Sequence, residues 1–325
     1  MNRLGIYFFY DKDGVVDDYV PFFLRQLKPF VSELCIVVNG LLSDDGRAKL
    51  APLCERLLVR QNKGFDAWAY KDAIALYGYD KLAEYDELLL CNYTFFGPFY
   101  PLQKLFDDMD KKQCDWWSLF RWYEPVPVAY QHIPSFWTVY RKSLLQNPAF
   151  QEFWETLRAV NSYGDSTIYY EQRQAPYYDA KGFTCATWID HHKYKAMWNN
   201  SWPMSQADRL VIEDKCPFIK RRCFFVEEGL MPEGRVALSV LPYLREHTHY
   251  DMHLIWDNLK RTQNLAALSR PKNLAQWLKV LRYWVSSHLF LMAKWRRHYA
   301  RKAYSMLLDE AYLMNLRMQE SSLYV

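Results

Sequence analysis

The first group of residues that could do chemistry lies between positions 61 and 72, directly after a short apolar run. Gly64 permits a tight turn there, and the helix predicted to follow would offer backbone N–H groups and the Lys71 ammonium to an anion such as a diphosphate. The other candidates in this group are Asn62, Lys63, Asp66 and Asp72. The alternative is an ordinary strand-to-helix turn with Asn62 as its cap and Lys71 in solvent, because short glycine motifs recur in many proteins.

A second polar group ends the nearly continuous apolar run YDELLLCNYT. Asn92 and Thr94 stand there, just before Gly97, and their side chains can hydrogen-bond a ribose, a sugar hydroxyl or a hydrated ion. Divalent cations prefer carboxylate oxygens, and residues 92–94 have none. The pattern argues against a Mg²⁺ or Mn²⁺ cofactor here. A polar strand end that enters a Gly-Pro turn is the alternative.

A carboxylate suited to proton transfer lies in the segment DSTIYYEQRQ, which starts at residue 165 and should be helical. Glu171 has aromatic and polar neighbours in this segment. If it faces a cleft, it could remove a proton from an attacking hydroxyl group. A glutamate on the solvent side of a helix is the commoner situation, so both interpretations stay open.

Four residues near position 250 are of types that bind metal ions, namely His247, His249, Asp251 and His253. On a strand all four would share one face, and on a helix His249 and His253 would lie one turn apart. No second ligand segment can be identified. A surface segment with incidental histidines is therefore the main alternative to a metal site.

Strands that alternate with helices would position these groups. Apolar runs at 3–10, 33–40 and 56–62 are each followed by a helical pattern, and Ser43 or Asp44 can cap the second helix. Three such units predict a parallel sheet, with YDELLLCNYT as a central strand covered on both faces. Ligands of such sheets bind at the carboxyl ends of the strands, where the first two polar groups fall.

The following segments make the predicted sheet a mixed one. CDWWSLFR, SFWTVYRKS and KGFTCATWI read as strands, and a helix should begin after Asn147, which can cap it. The sequence therefore predicts an α/β fold with a mixed, mostly parallel sheet and flanking helices.

The composition excludes several classes of protein. With 50% hydrophobic and 24% charged residues among 325, the chain can bury a large core and is not disordered. Seven scattered cysteines without a C-x-x-C pair argue against a disulfide scaffold and a thiolate zinc site, and they favour a reducing compartment. No leader peptide or membrane-spanning segment is expected, so we predict a cytoplasmic protein.

The C-terminal part of the chain differs in charge from the rest. Residues 1–257 hold 29 basic and 34 acidic side chains, whereas residues 258–325 hold 12 and 3. Aromatic residues alternate with the cations in a helical pattern, which is typical of a helix at a membrane surface. A packing helix with a basic outer face is the alternative. Nucleic acid is not expected as a partner, because no binding motif accompanies the charge.

Several segments in this order and spacing resemble the rhamnan synthesis protein F family of bacterial polysaccharide glycosyltransferases. They span roughly residues 3–225 and read LGIYFFYDKDGVVDDYVPFFLRQLKPFV, RQNKGFDAWAYKDAI, YDELLLCNYTFFGPFYPLQKLFDDM, SFWTVYRKSLLQNPAFQEFW and EDKCPFIKRR. The second and third segments also resemble the nucleotide-sugar motif of GT-A-type transferases. The resemblance implies a GT-A-like, Rossmann-type domain over residues 1–255 and a basic helical tail over residues 256–325.

The resemblance further implies transfer of a sugar, such as rhamnose from dTDP-rhamnose, to a lipid-linked glycan acceptor with inversion at the sugar carbon. This activity belongs to the synthesis of cell-surface polysaccharides such as the O-antigen of lipopolysaccharide, on the inner face of the plasma membrane. Positions that match the family and would contact the nucleotide sugar are Asp11, Asp13, Asn62, Lys63, Gly64, Asp66, Lys71, Asp72, Asn92 and Gly97, with Glu171 as the base.

Two positions depart from the family pattern. Tyr93 stands where the family usually has an acidic residue, which bears on metal dependence, and Trp68 stands where glycine is common. The missing acid favours a second hypothesis, in which the chain is a non-catalytic partner or glycan-binding subunit of a polysaccharide assembly complex.

Overall fold

The computed structural model describes residues 1–121, 132–190, 207–224 and 232–263, with the backbone alone for 232–239. The strands of these regions are β1 Arg3–Tyr10, β2 Glu33–Asn39, β3 Arg56–Arg60, β4 Glu87–Asn92, β5 Phe95–Phe96, β6 Trp116–Ser118, β7 Trp137–Arg141, β8 Cys185–Thr187 and β9 Ile219–Lys220. Seven of them form one sheet, and β5 pairs with β9 in a separate two-stranded ribbon.

Helices connect and cover these strands. The α-helices are α1 Tyr19–Leu27, α2 Asp44–Leu50, α3 Phe65–Tyr77, α4 Tyr79–Leu82, α5 Gln103–Asp110, α6 Lys142–Leu145, α7 Pro148–Glu155, α8 Tyr163–Ser166, α9 Gln172–Asp179, α10 Ala207–Ile212, α11 Pro232–His247 and α12 His253–Thr262. A π-helical turn, Thr167–Glu171, joins α8 to α9. Short 3₁₀ turns follow α1, α2 and β9 at Lys28–Phe30, Ala51–Leu53 and Arg221–Phe224.

The large sheet has the strand order β3-β2-β1-β4-β7-β6-β8. Strands β1 to β4 are parallel, β7 runs antiparallel to both of its neighbours, and β6 pairs with β8 in parallel. The order 3-2-1-4 is that of a doubly wound nucleotide-binding sheet. The predicted α/β fold with a mixed, mostly parallel sheet and flanking helices is therefore confirmed for the described residues.

In the five inner strands of the sheet, side chains on both faces are buried, which explains why these strands are apolar without alternation. In β1, Leu4, Ile6 and Phe8 enter one hydrophobic cluster, while Tyr7 and Phe9 enter the other. Helices α1, α5 and α12 cover one face, and α3, α7 and α9 cover the opposite face. The molecule is thus built in three layers around two cores.

Local signals in the sequence set two of the helix starts. The Ser43 hydroxyl accepts a hydrogen bond from the Gly46 N–H at 3.0 Å, and Asn147 accepts one from the Ala149 N–H at 2.9 Å. These bonds satisfy N–H groups that would otherwise have no partner in the first turn. Of the two caps predicted for α2, Ser43 is the one that forms.

The helix α12 crosses the domain boundary predicted at residue 255. Its Ile255 and Leu259 are buried in the same cluster as α1. The first residues of the predicted tail therefore pack on the sheet domain. The basic and aromatic segment beyond residue 263 lies outside the described residues. Within the described part, no helix is long and apolar enough to cross a bilayer.

A buried charge cluster joins the amino ends of β1 and β4 to the carboxyl end of the antiparallel strand β7. Glu87 is 1% exposed and accepts hydrogen bonds from Arg3 Nε at 2.7 Å and from Arg141 Nε at 3.1 Å. The Trp117 indole N–H donates to the same carboxylate at 3.3 Å. Removing one partner of such a group leaves a charge buried without compensation.

We expect Glu87→Gln to lower the free energy of unfolding by about 3–5 kcal/mol, because two guanidinium groups then lose the carboxylate that they share. Urea denaturation of the full chain measures this. The control is Glu84→Gln, which removes an exposed glutamate paired with Lys81 and should change stability by less than about 0.5 kcal/mol. Equal effects of the two substitutions would contradict the structural role of Glu87.

Candidate functional site

The carboxyl ends of β1 to β4 form one edge of the sheet. Tyr10 pairs with Asn39, Asn39 pairs with Arg60, and Asn92 pairs with Phe8. Parallel strands in register place the residues that follow them side by side, and such edges are where ligands of open α/β sheets bind.

A tight turn begins α3 at this edge. Gly64 has φ +76°, in the left-handed region, and a Cβ added there would lie 2.4 Å from Cβ of Trp68. The indole N–H of Trp68 in turn donates to the Arg158 carbonyl at 2.8 Å. The turn predicted at Gly64 therefore exists, and both its backbone conformation and the neighbouring indole require glycine.

Arg60 holds the chain segment that leads into this turn. Its Nη1 donates to Oδ1 of the buried Asn39 and to the Lys63 carbonyl, each at 2.8 Å, and its Nε lies 2.7 Å from Asp72. Asp72 is thus an ion-pair partner of Arg60. Of Lys63, it is the backbone carbonyl that Arg60 holds in place. Sequence reasoning misses Asn39 and Arg60, although both end parallel strands as Asn92 does.

Asp66 is the centre of the polar cluster. Its carboxylate accepts hydrogen bonds from the Ala67 N–H at 2.9 Å, from Asn92 Nδ2 at 3.1 Å and from the Ser166 hydroxyl at 3.0 Å. It is 9% exposed. These bonds join α3, β4 and α8, so Asp66 fixes the relative position of three elements at the sheet edge.

Asn92 also holds the turn that follows β4 in place. Its Oδ1 accepts from the Thr94 N–H at 3.1 Å and from the Thr94 hydroxyl at 2.7 Å. The Thr94 Oγ1 also lies 3.0 Å from the ammonium of Lys220, which comes from β9. The two residues predicted at the end of the central strand are thus adjacent to Asp66 and to a lysine that the sequence pattern does not single out.

Glu171 lies at the end of the π-helical turn and faces this cluster. Its Oε1 accepts from the Ser135 N–H at 2.7 Å, and its Oε2 is 3.6 Å from Nε2 of His132. The side chain is 15% exposed, so it is not the solvent-facing glutamate of the alternative interpretation. π-Helical turns occur frequently at functional sites.

Lys220 connects the two carboxylates electrostatically. Burial of its ammonium lowers the pKa of Lys220 to about 8, while the nearby charges of Glu171 and Asp66 oppose this shift. No carboxylate of the described residues lies within 4 Å of it, and its ammonium sits 3.9 Å from the centre of the Phe136 ring. With Thr94 as its hydrogen-bond acceptor, the ammonium has N–H groups left for a ligand.

Two arginines follow Lys220 in the chain. Arg221 is buried, with its guanidinium 5.2 Å from the centre of the Tyr19 ring and 5.4 Å from that of Tyr93. Arg222 is exposed and lies 5.6 Å from the ring of Tyr163. The run of three cations is visible in the segment EDKCPFIKRR, but only the pairing of β9 with β5 shows that it borders the strand ends.

Lys71 is not part of this cluster. Its ammonium lies 3.1 Å from the Glu155 carbonyl and 3.4 Å from the Leu157 carbonyl, at the end of α7. Burial lowers its pKa, and the charges that act on it are Asp72, Glu155 and Arg173. The structure thus places Lys71 apart from the polar cluster, on a side of α3 that faces the end of α7.

The other predicted residues are distributed along the edge. Asn62 and Asp13 are exposed in the loops after β3 and β1. Gly97 has φ +130°, and a Cβ there would lie 2.2 Å from the Pro217 carbonyl oxygen. The absence of a side chain at Gly97 thus allows the segment around Pro217 to approach closely.

Asp11 binds the C-terminal helix. Its Oδ2 accepts from Arg261 Nη2 at 2.6 Å, and its Oδ1 accepts from the N–H groups of Asp13 and Val15. Partial burial would raise the pKa of Asp11, but these hydrogen bonds, led by that of Arg261, lower it. Asp11 thus stays ionised and ties α12 to the loop after β1.

The four candidate metal ligands do not form a site. His247 ends α11, His249 and Asp251 lie in the connection, and His253 begins α12, so neither the strand nor the single helix expected from the sequence is present. The Asp251 carboxylate accepts the His253 N–H at 2.9 Å and thereby starts α12. Among the residues with described side chains, no group of three or more His, Cys, Asp or Glu could hold a metal ion.

These features define an α/β protein of the doubly wound type, with a polar cluster at the carboxyl edge of its parallel strands. The model of the family described as rhamnan synthesis protein F matches residues 34–300. This is most of the chain, and the chain belongs to that family.

Solved structures with similar folds are only distantly related in sequence. TarS residues 1–349 of S. aureus give a TM-score of 0.37 at 14% identity, covering 88% of this chain and 81% of that one. A cytidylyltransferase from Leptospira borgpetersenii gives 0.35 at 12% identity, covering 60% and 77%. Glucosyl-3-phosphoglycerate synthase from Mycobacterium tuberculosis gives 0.31 at 11% identity, covering 44% and 57%.

The chain thus spans little more than half of the mycobacterial synthase, and it spans 54% of a second mycobacterial protein. With TM-scores below 0.5, these likenesses carry no weight in the functional assignment. A search of curated proteins gave no significant match.

We expect Gly64→Ala to destabilise the protein by about 2 kcal/mol more than Gly182→Ala, because the added methyl group collides with Trp68. Gly182 also has a positive φ, of +84°, but no atom lies within 4 Å of the place that a Cβ would take there. Urea denaturation of both variants separates the collision from backbone strain. Similar losses of stability would show that Trp68 moves aside without cost.

Proposed function

We propose that this protein is a glycosyltransferase of cell-surface polysaccharide synthesis that takes its sugar from a nucleoside-diphosphate sugar. The observation that carries the proposal is the cluster of Asp66, Asn92, Thr94, Glu171 and Lys220 at the carboxyl edge of the sheet. It combines carboxylates, hydrogen-bonding groups and a cation in a protein of the rhamnan synthesis protein F family.

In the proposed reaction, an acceptor hydroxyl attacks the anomeric carbon of the donor sugar. The new bond joins the acceptor oxygen to that carbon, and the bond to the diphosphate oxygen breaks with its electron pair. The hydroxyl proton passes to the carboxylate of Glu171. The leaving group is a nucleoside diphosphate, whose developing negative charge requires nearby donors and cations. A single displacement of this kind inverts the configuration at the sugar carbon.

The position of Glu171 suits it to this role. The Ser135 N–H orients one carboxylate oxygen, which leaves the second oxygen as the one that would receive a proton. His132 lies beside that second oxygen at 3.6 Å and provides a route for the proton to leave after transfer. A base held in this way is poised before the acceptor arrives.

The finer parts of the proposal rest on the family resemblance. They are rhamnose as the sugar, dTDP-rhamnose as its donor and a lipid-linked glycan as its acceptor. Attachment to the membrane surface through the basic segment after residue 263 is proposed from its charge and aromatic content alone.

A panel of nucleotide sugars tests the proposal. A donor that binds should raise the melting temperature of the full-length protein as its concentration rises above its Kd. Release of nucleoside diphosphate in the presence of a glycan acceptor then establishes transfer. Binding without any transfer or hydrolysis would instead favour the non-catalytic partner or glycan-binding subunit.

We expect Glu171→Gln to reduce turnover by about 10²- to 10⁴-fold while leaving the Kd for the donor within a few-fold of its original value. The amide keeps the shape and the Ser135 contact but cannot accept the proton. The control is Glu152→Gln, which changes an exposed glutamate on α7 that pairs with Lys181. Unchanged turnover in Glu171→Gln would eliminate the proposed base.

A further inference from the structure

We propose that Lys220, with Arg222 beside it, takes the place of a divalent metal ion at the donor diphosphate, so that this protein binds its nucleotide without metal. The inference rests on the proposed function and deepens it by assigning the group that neutralises the leaving diphosphate. Four observations support it.

The oxygen atoms at the end of β4 do not fit a divalent cation. Asn92 Oδ1 accepts two hydrogen bonds from Thr94, and Asn92 Nδ2 is committed to Asp66. The Thr94 hydroxyl accepts from the Lys220 ammonium. Mg²⁺ and Mn²⁺ need several oxygen ligands with free lone pairs, and carboxylates in particular. Residues 92–94 have no carboxylate, and the side-chain oxygens of Asn92 and Thr94 are already hydrogen-bonded.

The ammonium of Lys220 already occupies the place where such a cation would lie. It is 3.0 Å from Thr94 Oγ1 at the strand end. A metal ion bound within a few ångströms would repel it strongly, because charges at such distances in a partly buried site interact by several kcal/mol. The two cations therefore exclude one another.

The carboxylates near Lys220 do not form ion pairs with its ammonium. Asp66 accepts three hydrogen bonds from its own neighbours, and Glu171 accepts one from Ser135. Both act on Lys220 only as charges beyond ion-pair distance. The ammonium keeps N–H groups for the non-bridging oxygens of a diphosphate.

Arg222 supplies the second positive charge. It acts as a like charge on Lys220, which places the two groups near each other, and its side chain is exposed beside Tyr163. A lysine and an arginine together carry the same formal charge as one Mg²⁺ ion. Only Arg221 separates them in the chain.

The decisive experiment is calorimetric titration of the full-length protein with UDP, dTDP and GDP, in EDTA and in MgCl₂ or MnCl₂. We expect at least one nucleoside diphosphate to bind with the same Kd in both conditions. Lys220→Met, which keeps the contact with Phe136 but loses the charge, should weaken that binding by about 10- to 100-fold. Lys220→Arg should restore most of it.

Lys104→Met is the matched control, since Lys104 is an exposed lysine on α5 that pairs with Asp108, and it should bind as the unchanged protein does. Far-UV circular dichroism of each variant confirms folding. The EDTA comparison needs no variant and so decides the question even if Lys220→Met fails to fold.

The pH dependence of diphosphate binding is an independent test of the role of Lys220. The pKa of Lys220 is lowered to about 8 by burial, with Arg222 adding to the shift and Glu171, Asp66 and Cys223 opposing it. The ammonium is therefore charged below pH 8 and loses its proton above it. The last pKa of the diphosphate is about 6, so the ligand keeps its charge over this range. The affinity of the protein for the diphosphate should therefore fall as the pH rises from about 8 to about 9.5. In Lys220→Arg this fall should disappear.

The outcomes separate the two proposals. Binding that requires Mg²⁺ or Mn²⁺, or an unchanged Kd in Lys220→Met, would overturn the metal-free inference while leaving the glycosyltransferase proposal intact. A protein that binds no nucleoside diphosphate and no nucleotide sugar, with or without metal, would overturn both.

Discussion

One buried carboxylate organises the carboxyl edge of this sheet. Asp66 lies in the first turn of α3 and binds a side chain of β4 and a side chain of α8, which are 26 and 100 residues away in the chain. The bond to Asn92 orders further groups, since Asn92 fixes Thr94 and Thr94 positions Lys220. Buried polar groups left without hydrogen-bond partners would lower the stability of the fold, so these hydrogen bonds are expected to form cooperatively.

The charges at this edge are arranged so that they do not cancel one another. The carboxylates of Asp66 and Glu171 take their hydrogen bonds from the protein's own N–H and O–H groups, while the cation of Lys220 stays near them beyond ion-pair distance. The structure thereby keeps a proton-accepting group and an anion-binding group side by side. Electrostatic preorganisation of this type lowers the reorganisation that a charged transition state demands.

The fold can be predicted from the sequence because the signals that set its strands and helices lie within short segments of the chain. Apolar runs covered on both faces, the cap at Ser43 and the cap at Asn147 all depend on neighbours in the chain. The site can be predicted only in part. Residue type and position single out Asp66, Asn92 and Glu171, which the structure brings to one cluster. They also single out Lys71, which lies against the end of α7 instead, because spacing in a sequence does not show what a given side of a helix contacts. The place of Lys220 in the cluster cannot be predicted from the sequence, because it depends on the pairing of β9 with β5.

The ion pair between Arg261 and Asp11 fixes where the C-terminal segment leaves the sheet domain. It holds the end of α12 against the loop that follows β1, at the same edge as the polar cluster. Arg261 also pairs with Asp17, a second acidic residue of the same loop, at 2.6 Å. Because these pairs join parts of the chain about 250 residues apart, the loop after β1 and the last turn of α12 are ordered together, and local opening of one would release the other.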